Sequence, residues 1–243
     1  MDQSSQVEQV SELVRVLGHR GAPGPGRPDN SVAAVTEALH QGADGVEVDV
    51  QLTADGMLVC AHDPVDLLDD DERAALATLV EMLVVAKWSG CAQVVVEVKP
   101  VTGPLAAVRT ARALADVLRA GAGSAAITVS SFDADLLAVV RRACADLPVR
   151  TALLGDRTTP VDDVVRRAAA DGHDEVHLPL TGVRRTPEVV ATAHALGLTV
   201  ALWTVNQRAA LQWAAQLGAR AVITDDVMTA WSELDRIPAL AAA

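Results

Sequence analysis

The chain has 243 residues, half of them hydrophobic, with a mean hydropathy of +0.25 and a net charge of −12. That length suits one large domain or two small ones and can bury a full core. No apolar run reaches membrane-spanning length, since Glu97 interrupts the most hydrophobic strand. The acidic balance leaves no basic stripe to neutralise a phosphate backbone, which excludes nucleic acid as the partner.

Met1–Arg15 is polar and carries no hydrophobic segment, so no secretory signal is expected. Cys60, Cys91 and Cys144 show no paired spacing and read as small apolar fillers in a reducing, cytoplasmic setting. With no Tyr, one Phe and four Trp, a substrate wall is expected to be mainly aliphatic, with Trp203 the large platform to watch.

In chain order, Val14–His19 reads as a short strand and Ala22–Asn30 as a Pro- and Gly-rich loop. Asn30 reads as the N-cap of a helix over Ser31–Gln41, which Gly42 closes. Gly45–Leu52 is a strand, and Asp55-Gly56 folds Met57–Ala61 back along it as a hairpin that brings His62 level with Val48 and Asp49. Asp66–Asp71 reads as polar loop and Glu72–Trp88 as one helix. Strands at Ala92–Lys99, Ile127–Ser131, Val149–Leu154, Glu175–Leu180, Leu198–Thr204 and Ala221–Thr224 then alternate with helices at 104–120, 133–146, 161–170, 187–196, 207–217 and 227–234. Gly121 is expected to stop the first of these. The acidic runs Asp69–Glu72 and Asp171–Glu175 read as solvated loops and helix ends.

Setting the hairpin return aside as an arm, eight strands are each followed by a helix, and their Val-, Ile- and Leu-rich character suits parallel strands covered on both faces. The pattern predicts one α/β domain over residues 1–243: a (β/α)8 TIM barrel with a β-hairpin arm after strand 2. A doubly wound open sheet is the competing architecture. Pro23 and Pro25, interleaved with Gly24 and Gly26, remove the donors a phosphate-cradling glycine loop needs.

In such a barrel the chemistry lies at the C-terminal strand ends. Those ends carry His19-Arg20, Glu47 and Asp49, Glu97 and Lys99, Ser130-Ser131-Phe132, His177, Trp203–Asn206 and Thr224-Asp225, and the N-terminal ends carry almost nothing comparable. Residues two apart on a strand share a face, so Glu47 and Asp49 point inward together while Val46, Val48 and Val50 point out. Three converging carboxylates (Glu47, Asp49, Glu97) repel unless one keeps its proton or a hard divalent cation binds, and oxygen ligation suits Mg2+ or Ca2+, with Mn2+ a third candidate. Lys99 adds a fixed charge beside them, and the fork of Arg20 suits a phosphate. Histidine ordinarily titrates near neutral pH, which makes His19 and His62 a candidate general acid and base. Together these describe metal-assisted phosphoryl transfer.

Singly, each has a plainer reading: Glu47-x-Asp49 a solvated strand face, Glu97 and Lys99 a buried ion pair, either histidine a structural one, Asn30 only a cap, Trp203 only core, Cys60 inert packing. Their joint placement at one barrel end favours the site.

The segments 18–22 (Gly-His-Arg-Gly-Ala), 42–50, 52–56, His62-Asp63, 97–99, 131–133, 203–206 and 223–225 together resemble the glycerophosphodiester phosphodiesterase family, within the wider class of phosphodiesterase barrels that includes phosphatidylinositol-specific phospholipase C. The resemblance implies hydrolysis of glycerophosphodiesters to sn-glycerol 3-phosphate and an alcohol, with a metal on Glu47, Asp49 and Glu97. It further implies His19 and His62 as the acid–base pair, and Arg20 and Lys99 on the phosphate. Which histidine is the base stays open, as does attack by water or by a substrate hydroxyl through a cyclic phosphate.

Two departures stand out. Where the family usually has Pro-Glu-Asn, this chain has Pro28-Asp29-Asn30, one methylene shorter, so a contact to the site is expected to be lost or bridged by water. The segment Pro64–Ala92, where the family usually inserts a cap, is short, which predicts a more open mouth. A phospholipase D-like or cyclising activity on lysophospholipids or bulkier diesters is therefore the rival enzyme reading. A non-catalytic barrel that binds a phosphorylated ligand is the rival from another class.

Overall fold

The computed structural model describes residues 14–121 and 125–234. The polar stretch expected at the N-terminus lies outside the described residues up to residue 13. Among the described residues nine strands form one sheet: β1 (Arg15–His19), β2 (Gly45–Leu52), β3 (Leu58–Cys60), β4 (Gln93–Val98), β5 (Ala126–Ser131), β6 (Val149–Leu154), β7 (Glu175–Pro179), β8 (Thr199–Trp203) and β9 (Ala221–Thr224). All but β3 pair in parallel, and β1 pairs with both β2 and β9, so eight strands close into a barrel. The helices are α1 (Val32–His40), α2 (Asp70–Ala74), α3 (Leu79–Trp88), α4 (Pro104–Gly121), α5 (Ala134–Ala143), α6 (Val161–Ala170), α7 (Leu180–Val183), α8 (Val189–Ala195), α9 (Arg208–Gln216) and α10 (Val227–Leu234). The (β/α)8 expectation holds, with β3 as its hairpin arm.

Strand parity divides the core in two. Outward-facing Val46, Val48, Val50, Val94, Val96 and Val98 pack against the helices in one large apolar layer. Inside the barrel the apolar cluster is small: Leu17, Val95, Ala201, Ala221 and Ile223, with Trp203 packed against it. Most other inward positions are polar, with Ala152 and Leu154 of β6 apolar exceptions, and that is where the site is built.

The hairpin forms as its turn chemistry dictates. Gly56 takes φ 91°, the left-handed conformation that glycine adopts without a steric penalty. Thr53 closes the turn, its backbone N–H donating to Met57 O at 2.9 Å and its Oγ1 accepting from Met57 N at 3.0 Å. Cys60 then pairs with Val50, and Ala61 N donates to Asp49 O at 3.1 Å, which carries the chain to His62 at the mouth.

Several local expectations give way. Ser31, not Asn30, caps α1 and accepts from Ala34 N, because Asn30 turns into the site instead. The helix expected over Glu72–Trp88 is two: Thr78 bridges Val59 of β3, breaking the helix, and restarts it as α3 through a capping box with Glu81. The expected Asp66–Asp71 loop holds a single 3-10 turn (Val65–Leu67) and the start of α2, which Asp69 caps. α4 includes Gly121 rather than ending before it, and β7 ends at Pro179 with Leu180 opening α7. Glu175, expected in a solvated acidic run, is buried in the barrel. Its Oε1 accepts from Thr128 Oγ1 at 3.1 Å and pairs with Arg150 Nε at 3.1 Å, and its Oε2 meets His177 Nε2 at 3.2 Å. With Gln93 bonded to Thr128 and Arg15 to Gln93, a polar chain runs toward the N-terminal strand ends, which the sequence pattern had left bare. All three cysteines are free and buried, and burial holds each thiol above its ordinary pKa, as fillers require.

Candidate active site

Glu47 and Asp49 project inward from β2 and Glu97 from the neighbouring β4, where Asp49 and Glu97 stand directly opposite each other. All three are buried, and one oxygen from each lies within 4.8 Å of the others. Burial, then the nearby charges of Asp49 and Glu97, pushes the Glu47 carboxyl well above the usual carboxylate range. Burial likewise raises Glu97, although Lys99 opposes it. Burial also works against ionised Asp49, but the Lys99 ammonium, with hydrogen bonds from Lys99 and Asn30 and the charge of Arg20, holds it below its ordinary value.

Lys99 Nζ bridges Asp49 Oδ1 at 2.5 Å and Glu97 Oε1 at 2.6 Å. Glu47 has no such cation, and its Oε1 is buried without a hydrogen-bond partner among the described residues. An orphaned acceptor beside two more carboxylates is a donor set that a hard divalent cation fits. Charge balance agrees. The three carboxylates, with Asp29 also on Arg20, outnumber the two fixed cations Arg20 and Lys99, and a dication offsets that excess.

Arg20 sits at the end of β1 in a left-handed turn (φ 56°). Its N–H donates to Glu47 Oε2 at 3.2 Å, its Nε faces Asp49 Oδ2 at 3.1 Å and its Nη1 donates to Asp29 Oδ2 at 2.9 Å. Asp29, the shortened residue, is not one of the three clustered carboxylates and meets the site only through the guanidinium of Arg20. Gly21 makes the tight path possible: at φ 87°, a Cβ there would lie 2.4 Å from the Ala34 carbonyl carbon. Asn30 is also left-handed (φ 54°) and buried; its Nδ2 donates to Asp49 Oδ2 at 2.8 Å while its Oδ1 accepts from Asp49 N at 2.9 Å. Two non-glycine residues in this region beside the acidic cluster store of order 1–3 kcal/mol each, strain that the surrounding contacts must hold.

The two histidines are held differently. His19 Nδ1 lies 2.6 Å from Asp225 Oδ1, and Asn206 Nδ2 donates to Asp225 Oδ2 at 2.7 Å. The His19 contact holds the Asp225 carboxyl below the usual range, assisted by Asn206 against its partial burial. An ionised carboxylate only accepts, so Nδ1 carries the proton in this contact. His62 is about half exposed, with Nδ1 2.9 Å from Asp63 Oδ1. Its loop is clamped by Gln51, whose Nε2 donates to Ala61 O at 2.9 Å and Asp63 O at 2.7 Å and whose Oε1 accepts from Val65 N at 3.3 Å.

Across the mouth, half-buried Trp203 meets Phe132 edge-to-face with ring centroids 5.9 Å apart, so the chain's single Phe joins the aromatic platform. His177 is not at the mouth; it is buried within β7, Nε2 on Glu175, and only its carbonyl faces Trp203 Nε1, at 3.4 Å. The partners that sequence reasoning left without a role are Asp225, Asn206 and Gln51. The first two were visible as polar strand ends, but their junction with His19 across 206 residues needs the closed barrel. Asp225→Asn keeps the shape and loses the charge; it is expected to lower kcat about 10–100-fold with little change in KM, in steady-state kinetics.

The sequence profile of the Glycerophosphoryl diester phosphodiesterase family matches residues 19–76 and 70–229. The chain is 30% identical, over 84% of its own length and 86% of the other, to a probable glycerophosphodiester phosphodiesterase 1 of Mycobacterium tuberculosis. Its fold is similar to that of a Parabacteroides distasonis glycerophosphodiester phosphodiesterase (TM-score 0.78, 22% identity, 92% of this chain and 98% of that one). It is also similar in fold to an Oleispira antarctica phosphodiesterase in complex with the product sn-glycerol-3-phosphate (TM-score 0.75, 22% identity, 92% and 97% covered).

Proposed function

We infer the activity from descent and geometry together: the chain belongs to the glycerophosphoryl diester phosphodiesterase family. It is a phosphoric diester hydrolase, and we propose that it cleaves glycerophosphodiesters to sn-glycerol 3-phosphate and an alcohol. The observation that carries this reading is the buried triad Glu47, Asp49 and Glu97 flanked by two cations and two imidazoles. The product-bound fold relative from Oleispira antarctica accords with it.

Glu47, Asp49 and Glu97 would hold the cation, Mg2+, Ca2+ or Mn2+, and when bound it supplies charge to a phosphoryl oxygen or to the attacking oxygen. The protein's own residues do the rest. Arg20, fixed by Asp29 and Asp49, presents a guanidinium to the phosphate. Lys99, whose pKa burial lowers but Glu97 and Asp49 raise above its ordinary value, stays a full positive charge. Asn30 fixes the Asp49 carboxylate from one side. His19 and His62 form the acid–base pair, one taking a proton from the attacking oxygen and the other giving one to the departing alkoxide. Trp203 with Phe132 offers an apolar surface to the carbons of the glycerol.

We place the enzyme as one barrel domain working in the cytoplasm, a setting with which three free, buried thiols accord. Among the described residues no helix is long and apolar enough to cross a membrane. The test is product analysis by phosphorus NMR on glycerophosphoethanolamine with Mg2+, Ca2+ and Mn2+ in parallel. Glycerol 3-phosphate is the expected product. A cyclic phosphate accumulating as the final product would favour the cyclising rival. Ligand-induced melting shifts without turnover under any of the metals would favour a binding barrel.

A further inference from the structure

A groove of about 640 Å³ opens beside the acidic cluster, between the hairpin arm, the turn after His62 and the start of α4. His62 and Lys99 line its inner end, so it is continuous with the site. At its outer end Arg109 of α4 donates through Nη2 to Ala54 O at 3.3 Å, tying the helix to the tip of the arm. Asp66, on the 3-10 turn, and Thr102 also line it.

We propose that this groove receives the departing alcohol of the diester and selects hydroxylated, uncharged alcohols of up to ring size, an inference that rests on the phosphodiesterase reading above. A hydroxyl both donates and accepts, and the lining supplies both partners: the Asp66 carboxylate accepts, the Arg109 guanidinium donates and Thr102 does either. A volume of about 640 Å³ is in the range of small-molecule sites and exceeds what ethanolamine fills. Choline fits the walls poorly. None of the lining residues is Trp or Phe, so no aromatic face meets a trimethylammonium, and the Arg109 guanidinium offsets the one lining carboxylate, Asp66, while Lys99 is already paired with Asp49 and Glu97. An acyl chain fits poorly as well, because Asp66 on the turn and Thr102 and Arg109 at α4 interrupt the aliphatic lining of Leu52, Val65 and Val101. The open mouth expected from the short segment after His62 is lined on this side by polar and aliphatic residues together, with no aromatic among them. The groove also places His62 on the side from which the alcohol departs.

The test compares kcat/KM for glycerophosphoinositol, glycerophosphocholine and a lysophosphatidylcholine in the metal-loaded wild-type protein, Arg109→Leu, Arg109→Lys and Ala106→Trp, each checked for folding by thermal melting. The wild-type protein is expected to favour the inositol diester over the choline diester about tenfold, consistent with one or two net hydrogen bonds. Arg109→Leu is expected to lower that ratio about fivefold, Arg109→Lys to recover part of it, and Ala106→Trp, which fills the groove, to lower it chiefly through KM. A wild-type ratio of one or below, a ratio unchanged in both Arg109→Leu and Ala106→Trp, or a lysolipid turned over as fast as the inositol diester overturns the proposal while leaving the hydrolase reading intact. Hydrolysis of none of the three overturns that reading, and this inference with it.

Discussion

His19→Ala is expected to lower turnover of a glycerophosphodiester by about three orders of magnitude, within the span of roughly 10²–10⁴ that a positioned acid–base group supplies. The side chain ends β1 at the rim of the barrel and is the imidazole of the pair with a built second partner, Asp225, itself held by Asn206. Such support fixes ring and tautomer before substrate arrives, so its loss removes a proton-transfer group and the orientation that made it effective. Because His19 contacts none of the three carboxylates by hydrogen bond, cation affinity should be retained, and titration calorimetry separates the two effects. His62→Ala is expected to cost about 10²-fold or more. Its imidazole is half exposed and its Asp63 partner lies in solvent, so its placement depends on the Gln51 clamp on the loop. Full activity in both alanine variants would sink the acid–base assignment.

Glu47→Gln is expected to lower activity about a hundredfold, at the upper end of what altered metal-site residues cost, while making the metal-free protein more stable. The amide oxygen can still accept from Arg20 N, so the local path of the chain is kept. What disappears is a charge that burial and its two acidic neighbours disfavour. The sign follows from linkage. A carboxyl whose folded-state pKa lies above its unfolded value binds more protons in the folded state, so it destabilises the fold progressively as pH rises from the ordinary carboxylate range to the raised value. In EDTA the wild-type Tm should therefore fall as pH rises through that window, and Glu47→Gln should flatten the fall. At neutral pH each kcal/mol relieved raises Tm by about 2–4 °C for a chain of this size. Adding the divalent ion should stabilise the wild-type protein and leave the variant nearly unmoved. An equal metal-induced shift in both proteins would remove Glu47 from the ligand set.

The sequence showed most of the barrel because its cues are local. The Val runs of β2 and β4, the Asp55-Gly56 turn and the alternation of strand and helix each lie within a few residues of one another. The inward set Glu47, Asp49, Glu97 and Lys99 follows from strand parity alone, and its convergence needs only the closed order of β2 and β4. What was illegible depends on contacts between distant segments. Asn30 sits where a cap should be, yet a left-handed backbone turns it onto Asp49, and that conformation leaves no mark in the pattern. Thr78 breaks a helical run because it meets Val59, a strand nineteen residues earlier. Glu175 looks like part of an acidic surface run until Arg150, Thr128 and His177, on three different strand positions, close around it. Asp29 is one methylene short of the family's usual residue, and it meets the site only through the guanidinium of Arg20.

Hydrolysis is expected to run on a divalent ion held by Glu47, Asp49 and Glu97. Its most direct test is turnover of glycerophosphoethanolamine by EDTA-stripped protein, before and after titration with Mg2+, Ca2+ or Mn2+. Turnover should be lost on stripping and return with at least one ion in the wild-type protein, but not in Glu97→Ala. Full turnover in EDTA, or metal rescue of Glu97→Ala to the wild-type level, would contradict it.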